Sequence, residues 1–135
     1  MLSPTAATVR LFLHVLAASV WVGGQIALAG VIGAARRHEP TVTAVLARAF
    51  ARVASPAFAV LLITGLWSLT AVDLGNTSAA YQITVFVKIA LAVLSAMFAV
   101  IHSVGRSRLA LALGGALGLV SALGAMFLGI LLHTA

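Results

Sequence analysis

Four stretches of this chain stay apolar for about 20 residues, the length that crosses the hydrocarbon of a bilayer. They cover residues 8–34, 56–72, 81–104 and 109–133. A segment in lipid must satisfy its backbone hydrogen bonds internally, so runs of this kind fold as helices. The pattern therefore predicts an all-α protein, a transmembrane four-helix bundle with no room left for a soluble domain. Charge supports the same conclusion. Eight Lys and Arg with two Asp and Glu make up 7% of the 135 residues, against about 25% in soluble domains. The first run lacks a basic leader, since Arg10 stands alone, so it is expected to span rather than to act as a signal peptide.

The formal net charge is +6. A basic balance can point to nucleic acid, but here the arginines stand at the ends of apolar runs, where they meet lipid headgroups. The lipid bilayer is therefore the expected partner and nucleic acid is not. The chain has no cysteine, which removes disulfides, thiolate metal sites and redox thiols.

The connections differ in character. Arg36-Arg37-His38-Glu39-Pro40 leads into residues 41–53, where Val42, Val45, Leu46, Ala49 and Val53 share a helical face and Arg48 and Arg52 lie one turn apart. This predicts an amphipathic helix among the cytoplasmic headgroups, or an extension of the second span. Ser55-Pro56 fits an N-cap and first-turn proline that restart or kink the helix. Asp73-Leu74-Gly75-Asn76 has turn chemistry, and Gly105-Arg106-Ser107-Arg108 is a tight basic turn. Six arginines (Arg36, Arg37, Arg48, Arg52, Arg106 and Arg108) fall in the first and third connections. The positive-inside rule then places those loops in the cytoplasm and both termini outside, in a multi-pass protein expected at a bacterial plasma membrane.

Small residues recur at spacings of four: Gly114, Gly118 and Ala122; Ser121, Ala125 and Gly129; Gly23 and Ala27. Such patterns let helices approach closely in lipid. They fit packing inside the chain equally with a homo-oligomer or a larger membrane complex. A short echo, Val9-Arg10-Leu11-Phe12-Leu13-His14 against Ile83-Thr84-Val85-Phe86-Val87-Lys88, sets His14 opposite Lys88 and suggests a two-plus-two duplication.

Polar groups inside the spans are few. An ionisable side chain there is costly and persists where it faces the bundle interior with a partner. His14, Trp21 and Gln25 lie within about 40° of one another on the first helix. Tyr81, Thr84, Lys88, Ser95 and His102 form a second stripe. Gly115, Ala122, Met126, Gly129 and His133 form a third. By depth, His14, Lys88, His133 and Asp73 are expected towards the outer half of one bundle, while His102 lies near the cytoplasmic end. Two placements stay open for Lys88, snorkelled to the outer headgroups or turned inward. His133 is either a ligand or a frayed interfacial residue. His38 reads as a solvated loop residue.

The string Leu13-His14-Val15-Leu16-Ala17-Ala18-Ser19-Val20-Trp21-Val22-Gly23-Gly24 resembles the first helix of the copper-resistance D (CopD) membrane domain. Phe50-Ala51-Arg52, Thr64-Gly65-Leu66-Trp67 and Val87-Lys88-Ile89-Ala90-Leu91 extend the similarity along most of the chain. A weaker similarity links His14 and Lys88 to the HemJ-type haem-binding membrane proteins, where such a pair is associated with haem b. Position 84 is Thr here, where that family has arginine, and the Leu-Pro-Arg string after its first helix is absent, so HemJ-like catalysis is not implied. The CopD resemblance implies binding or transfer of copper at the outer half of the bundle, with His14, His133 and Met126 as metal ligands. The runner-up is a haem b redox protein using His14 with Lys88 or His133. A third reading, without chemistry, is an accessory subunit packing in a larger membrane complex. In none of these is an enzymatic reaction required.

Overall fold

The computed structural model describes residues 3–105 and 107–134. They form four helices: α1 (Ala6–His38), α2 (Pro40–Thr70), α3 (Ala79–Val104) and α4 (Arg108–Thr134), with a 3-10 turn at Leu74–Asn76. All four are long and apolar enough to cross a membrane. They form two helical hairpins, α1 with α2 and α3 with α4.

Local chemistry sets the helix starts. The Thr5 side chain accepts from the Thr8 backbone N–H, and the Thr8 hydroxyl reaches back to the Thr5 N–H, closing a capping box. That starts α1 two residues before the apolar run begins. Ser78 caps α3 by accepting from the Tyr81 N–H. Ser107 does the same for α4 through Ala110. Between α1 and α2 the whole connection is Glu39, extended at φ −149° and ψ 97°. Extended backbone is what a residue before proline favours, and Pro40 is at the start of α2, where its missing N–H leaves no gap.

Two boundaries differ from those the sequence suggests. Residues 41–53 are helical as the first part of α2, the extension of the second span that the sequence allows, and not as a separate surface helix. The helix runs on through Pro56 without a restart. A proline inside a helix removes one hydrogen bond and costs about 3 kcal/mol in water, yet membrane helices tolerate it. Likewise α1 carries Arg36, Arg37 and His38 inside its last turn, where cations complement the exposed carbonyls. At about 1.5 Å per residue, the α1–α2 hairpin is longer than a 30 Å hydrocarbon core. Arg106 of the expected basic turn lies outside the described residues.

Size, not polarity, separates inside from outside. The buried residues are small: Ala17, Ala54, Ala122, Ala125, Thr64, Ser95 and Ser121, with Val22 and Val85 the largest. Gly114 and Gly118 join them in α4. The large apolar side chains face outward, with Phe12, Ile63 and Phe127 each more than 60% exposed. In water this arrangement would forfeit the hydrophobic effect. In lipid nothing is lost by exposing Leu or Phe, and small residues gain van der Waals contact between backbones.

The hairpins use small residues differently. A Cβ on Gly114 would stand 2.9 Å from the His102 backbone nitrogen and 3.0 Å from the Phe98 carbonyl oxygen, so α4 touches the α3 backbone there. In α1, a Cβ on Gly23 would meet nothing within 4 Å. The neighbouring Gly24 is the contact glycine instead, because the Phe50 ring of α2 fills the space its Cβ would take.

Candidate functional site

The α1–α2 seam carries the first polar stripe. His14 and Thr64 stand at almost equal distances along the chain from the turn at Glu39, so antiparallel pairing brings them level. The His14 Nδ1 lies 2.7 Å from the Thr64 hydroxyl oxygen. That hydroxyl also lies 2.7 Å from the Val60 carbonyl oxygen, to which it donates. Thr64 has one proton for these two short contacts. With its proton on the Val60 carbonyl, the hydroxyl accepts at its other side, and the hydrogen there comes from His14 Nδ1–H. In the neutral imidazole the lone pair is then on Nε2.

Thr64 is 2% exposed and His14 is half-buried. Gly65 leaves the imidazole edge room: a Cβ there would come to 3.8 Å from His14 Cε1. About two turns to one side and one turn to the other, aromatic contacts fix the seam. The Trp21 and Phe58 ring centroids are 4.6 Å apart with planes tilted by 41°. At the open end of the hairpin the Arg10 guanidinium lies over the Trp67 ring at 5.8 Å, within cation–π range. The stripe of His14, Trp21 and Gln25 therefore turns towards α2, as expected of polar groups that lipid would reject. Gln25 continues it with a buried Nε2 that has no hydrogen-bond partner among the described residues.

The second hairpin positions the remaining candidates. Lys88 lies on α3 with its Nζ against α4 at Gly129, where a Cβ would meet it at 3.2 Å. It is half-buried, so it is turned towards its neighbour helix rather than fully snorkelled. Met126 is half-buried on α4, and His133 is exposed in the last turn of that helix. His102, at the turn end, donates from Nδ1 to the Leu111 carbonyl at 2.6 Å. A carbonyl only accepts, so this nitrogen is the protonated one. Gly115 makes room for the ring, since a Cβ there would stand 3.1 Å from Nδ1. His102 is thus a cross-link between α3 and α4. Asp73 lies at the end of the first hairpin, in the connection after α2, and His38 is exposed at the end of α1.

Among the described residues no group of three or more His, Cys, Asp or Glu is placed to hold a metal ion. A metal at His14 would draw its remaining ligands from other chemistry, such as thioether, backbone carbonyl or porphyrin nitrogen. Sequence reasoning named His14 but not its partner. Thr64 entered only as part of a longer string. The missed signal is the mirror relation of residues 14 and 64 about Glu39. No family model, no curated protein and no solved structure matches this chain.

Proposed function

We propose that the protein handles copper within the membrane, and that His14 presents Nε2 as the metal ligand. One observation carries this reading above the others: the buried Thr64 holds His14 by Nδ1–H. Metal-binding histidines almost always donate their second ring N–H to such a partner, which fixes tautomer and ring direction. Neutral imidazole suits copper, and the similarity of residues 13–24 to the CopD membrane domain points the same way. Met126 offers a soft thioether and His133 a second imidazole for copper entering or leaving. The protein acts here as a carrier or binding site rather than an enzyme.

A second reading, haem b, rests on His14 being a single fixed imidazole. Haem supplies four nitrogen ligands itself and asks the protein for one or two axial ones. His14 would be one of them. In both readings the arginine-rich ends, Arg36, Arg37, Arg48, Arg52 and Arg108, face the cytoplasm of a bacterial plasma membrane, with both termini outside. Labelling of Ser107→Cys from outside by an impermeant reagent, with Asn76→Cys protected, contradicts that orientation.

Elemental analysis and an absorption spectrum of the purified full chain decide between the metals. Copper near one per chain, lost in His14→Ala, is the expected result. A Soret band lost in the same variant selects haem. Neither in the wild type overturns both.

A further inference from the structure

Lys88 stands in the tenth position of α3, about 14 Å along the axis from Ala79 at 1.5 Å per residue. Its Nζ and Cε sit 3.2 and 3.3 Å from where a Gly129 Cβ would be, so Gly129 is the seat that lets the amine reach α4. The chain has only two acidic residues, Glu39 and Asp73, and neither belongs to the α3–α4 hairpin. Among the described residues none pairs with Lys88. An ammonium at membrane depth is costly and calls for an anion.

The hairpin has a place for one. Ser78, Tyr81 and Thr84 of the α3 start, with Leu131 and Leu132 of α4, line a cavity of about 310 Å³. Tyr81 precedes Lys88 by seven residues and falls within about 20° of it around the helix. Lys88 does not itself line the cavity, but its Nζ against Gly129 stands one turn of α4 from Leu132, which does. The Thr84 hydroxyl already donates to the Ala80 carbonyl at 2.8 Å, which leaves it only as an acceptor. The donors nearest an incoming group are therefore the Lys88 amine, the Tyr81 phenol and the Ser78 hydroxyl, beside a leucine wall that suits an acyl chain.

We propose that Lys88 and Tyr81 bind a phosphate group at the open end of the α3–α4 hairpin. The group comes from an anionic phospholipid or from free inorganic phosphate. This inference stands apart from the role of His14, and the two fail separately, because its variants lie in the other hairpin and its readout is not metal content.

The test uses the full chain in nanodiscs. In mixed phosphatidylglycerol and phosphatidylcholine discs, native mass spectrometry counts retained lipid. In pure phosphatidylcholine discs, calorimetry follows inorganic phosphate. The wild type should enrich phosphatidylglycerol roughly fivefold over the bulk ratio, the scale of one lysine–headgroup attraction. Lys88→Met should return the ratio to bulk, Lys88→Arg should keep it, and Gly129→Ala should reduce it by displacing the amine. Lys88-dependent binding of inorganic phosphate without lipid enrichment identifies the free ion as the source. Wild type showing neither, or Lys88→Met equal to wild type in both arms, overturns the proposal. If Lys88→Met does not fold, Tyr81→Phe decides, and unchanged retention in that variant contradicts the site.

Discussion

The two hairpins solve the same problem, holding two apolar helices together in lipid, by different chemistry. In α1–α2 the seam is made by side chains: the His14–Thr64 hydrogen bond, the Trp21–Phe58 contact, Arg10 over Trp67, and the Phe50 ring against Gly24. In α3–α4 it is made by absence of side chains. Gly114 and Gly118 bring α4 onto the backbone and Cβ atoms of α3, with Gly118 against the carbonyl oxygen of the buried Ser95. Each hairpin also has one histidine bonded across its seam through Nδ1. In the second, His102 bonds a carbonyl near the turn and ties helix to helix. In the first, His14 bonds a buried hydroxyl well away from the turn. On the proposed reading, the bond in the first hairpin serves to orient Nε2.

The largest effect expected from this contrast is at Gly114. Gly114→Leu places a side chain where α3 backbone atoms stand about 3 Å away. Overpacking of this kind costs about 1–3 kcal/mol or more. Thermal unfolding in detergent should show a clear loss, while Gly23→Leu, facing open space, should leave the midpoint within error. Equal losses would erase the distinction between the seams.

Next in size is Thr64→Val. It keeps the shape and removes the acceptor for His14 Nδ1–H. Loss of such a partner lowers metal affinity about 10–100-fold. Titration of the purified protein with copper should show this, with Thr64→Ser restoring affinity. An unchanged affinity would reduce Thr64 to a packing residue.

His102→Phe should do less. Interhelical hydrogen bonds in membranes average about 0.6 kcal/mol, so a small drop in stability with unchanged metal content is expected. A loss of metal in His102→Phe would move the functional histidine to the other hairpin. The smallest effect belongs to His38→Ala, at the exposed end of α1, which should change neither stability nor metal content.

Much of the fold was legible because lipid imposes it. Length and apolarity alone mark α1, α3 and α4, and the turn chemistry of residues 73–76 is borne out as the end of one hairpin and the start of the next. What stayed hidden follows from one misplaced boundary. Arg48, Arg52 and Pro56 made residues 41–53 look like a surface helix, so the second span seemed to begin at residue 56. With that start, the mirror about Glu39 that sets Thr64 beside His14 is invisible. The glycine seam of α4 was readable from its spacing of four, whereas the same spacing in α1 pointed to Gly23 and the contact falls on Gly24, because a ring from α2 picks the contact glycine and sequence spacing does not. The seating of Lys88 at Gly129 needed the register of α3 on α4, which no local signal sets.

The central claim is that His14 presents Nε2 because Thr64 holds Nδ1–H, and nitrogen-15 NMR of histidine-labelled protein in nanodiscs reads that tautomer directly. With His14→Ala used for assignment, the His14 signal should show a protonated Nδ1 and an unprotonated Nε2, and Cu(I) or haem should shift the His14 Nε2 resonance while those of His38 and His102 stay in place. A His14 protonated at Nε2, or an Nε2 signal that no metal moves, would contradict the account.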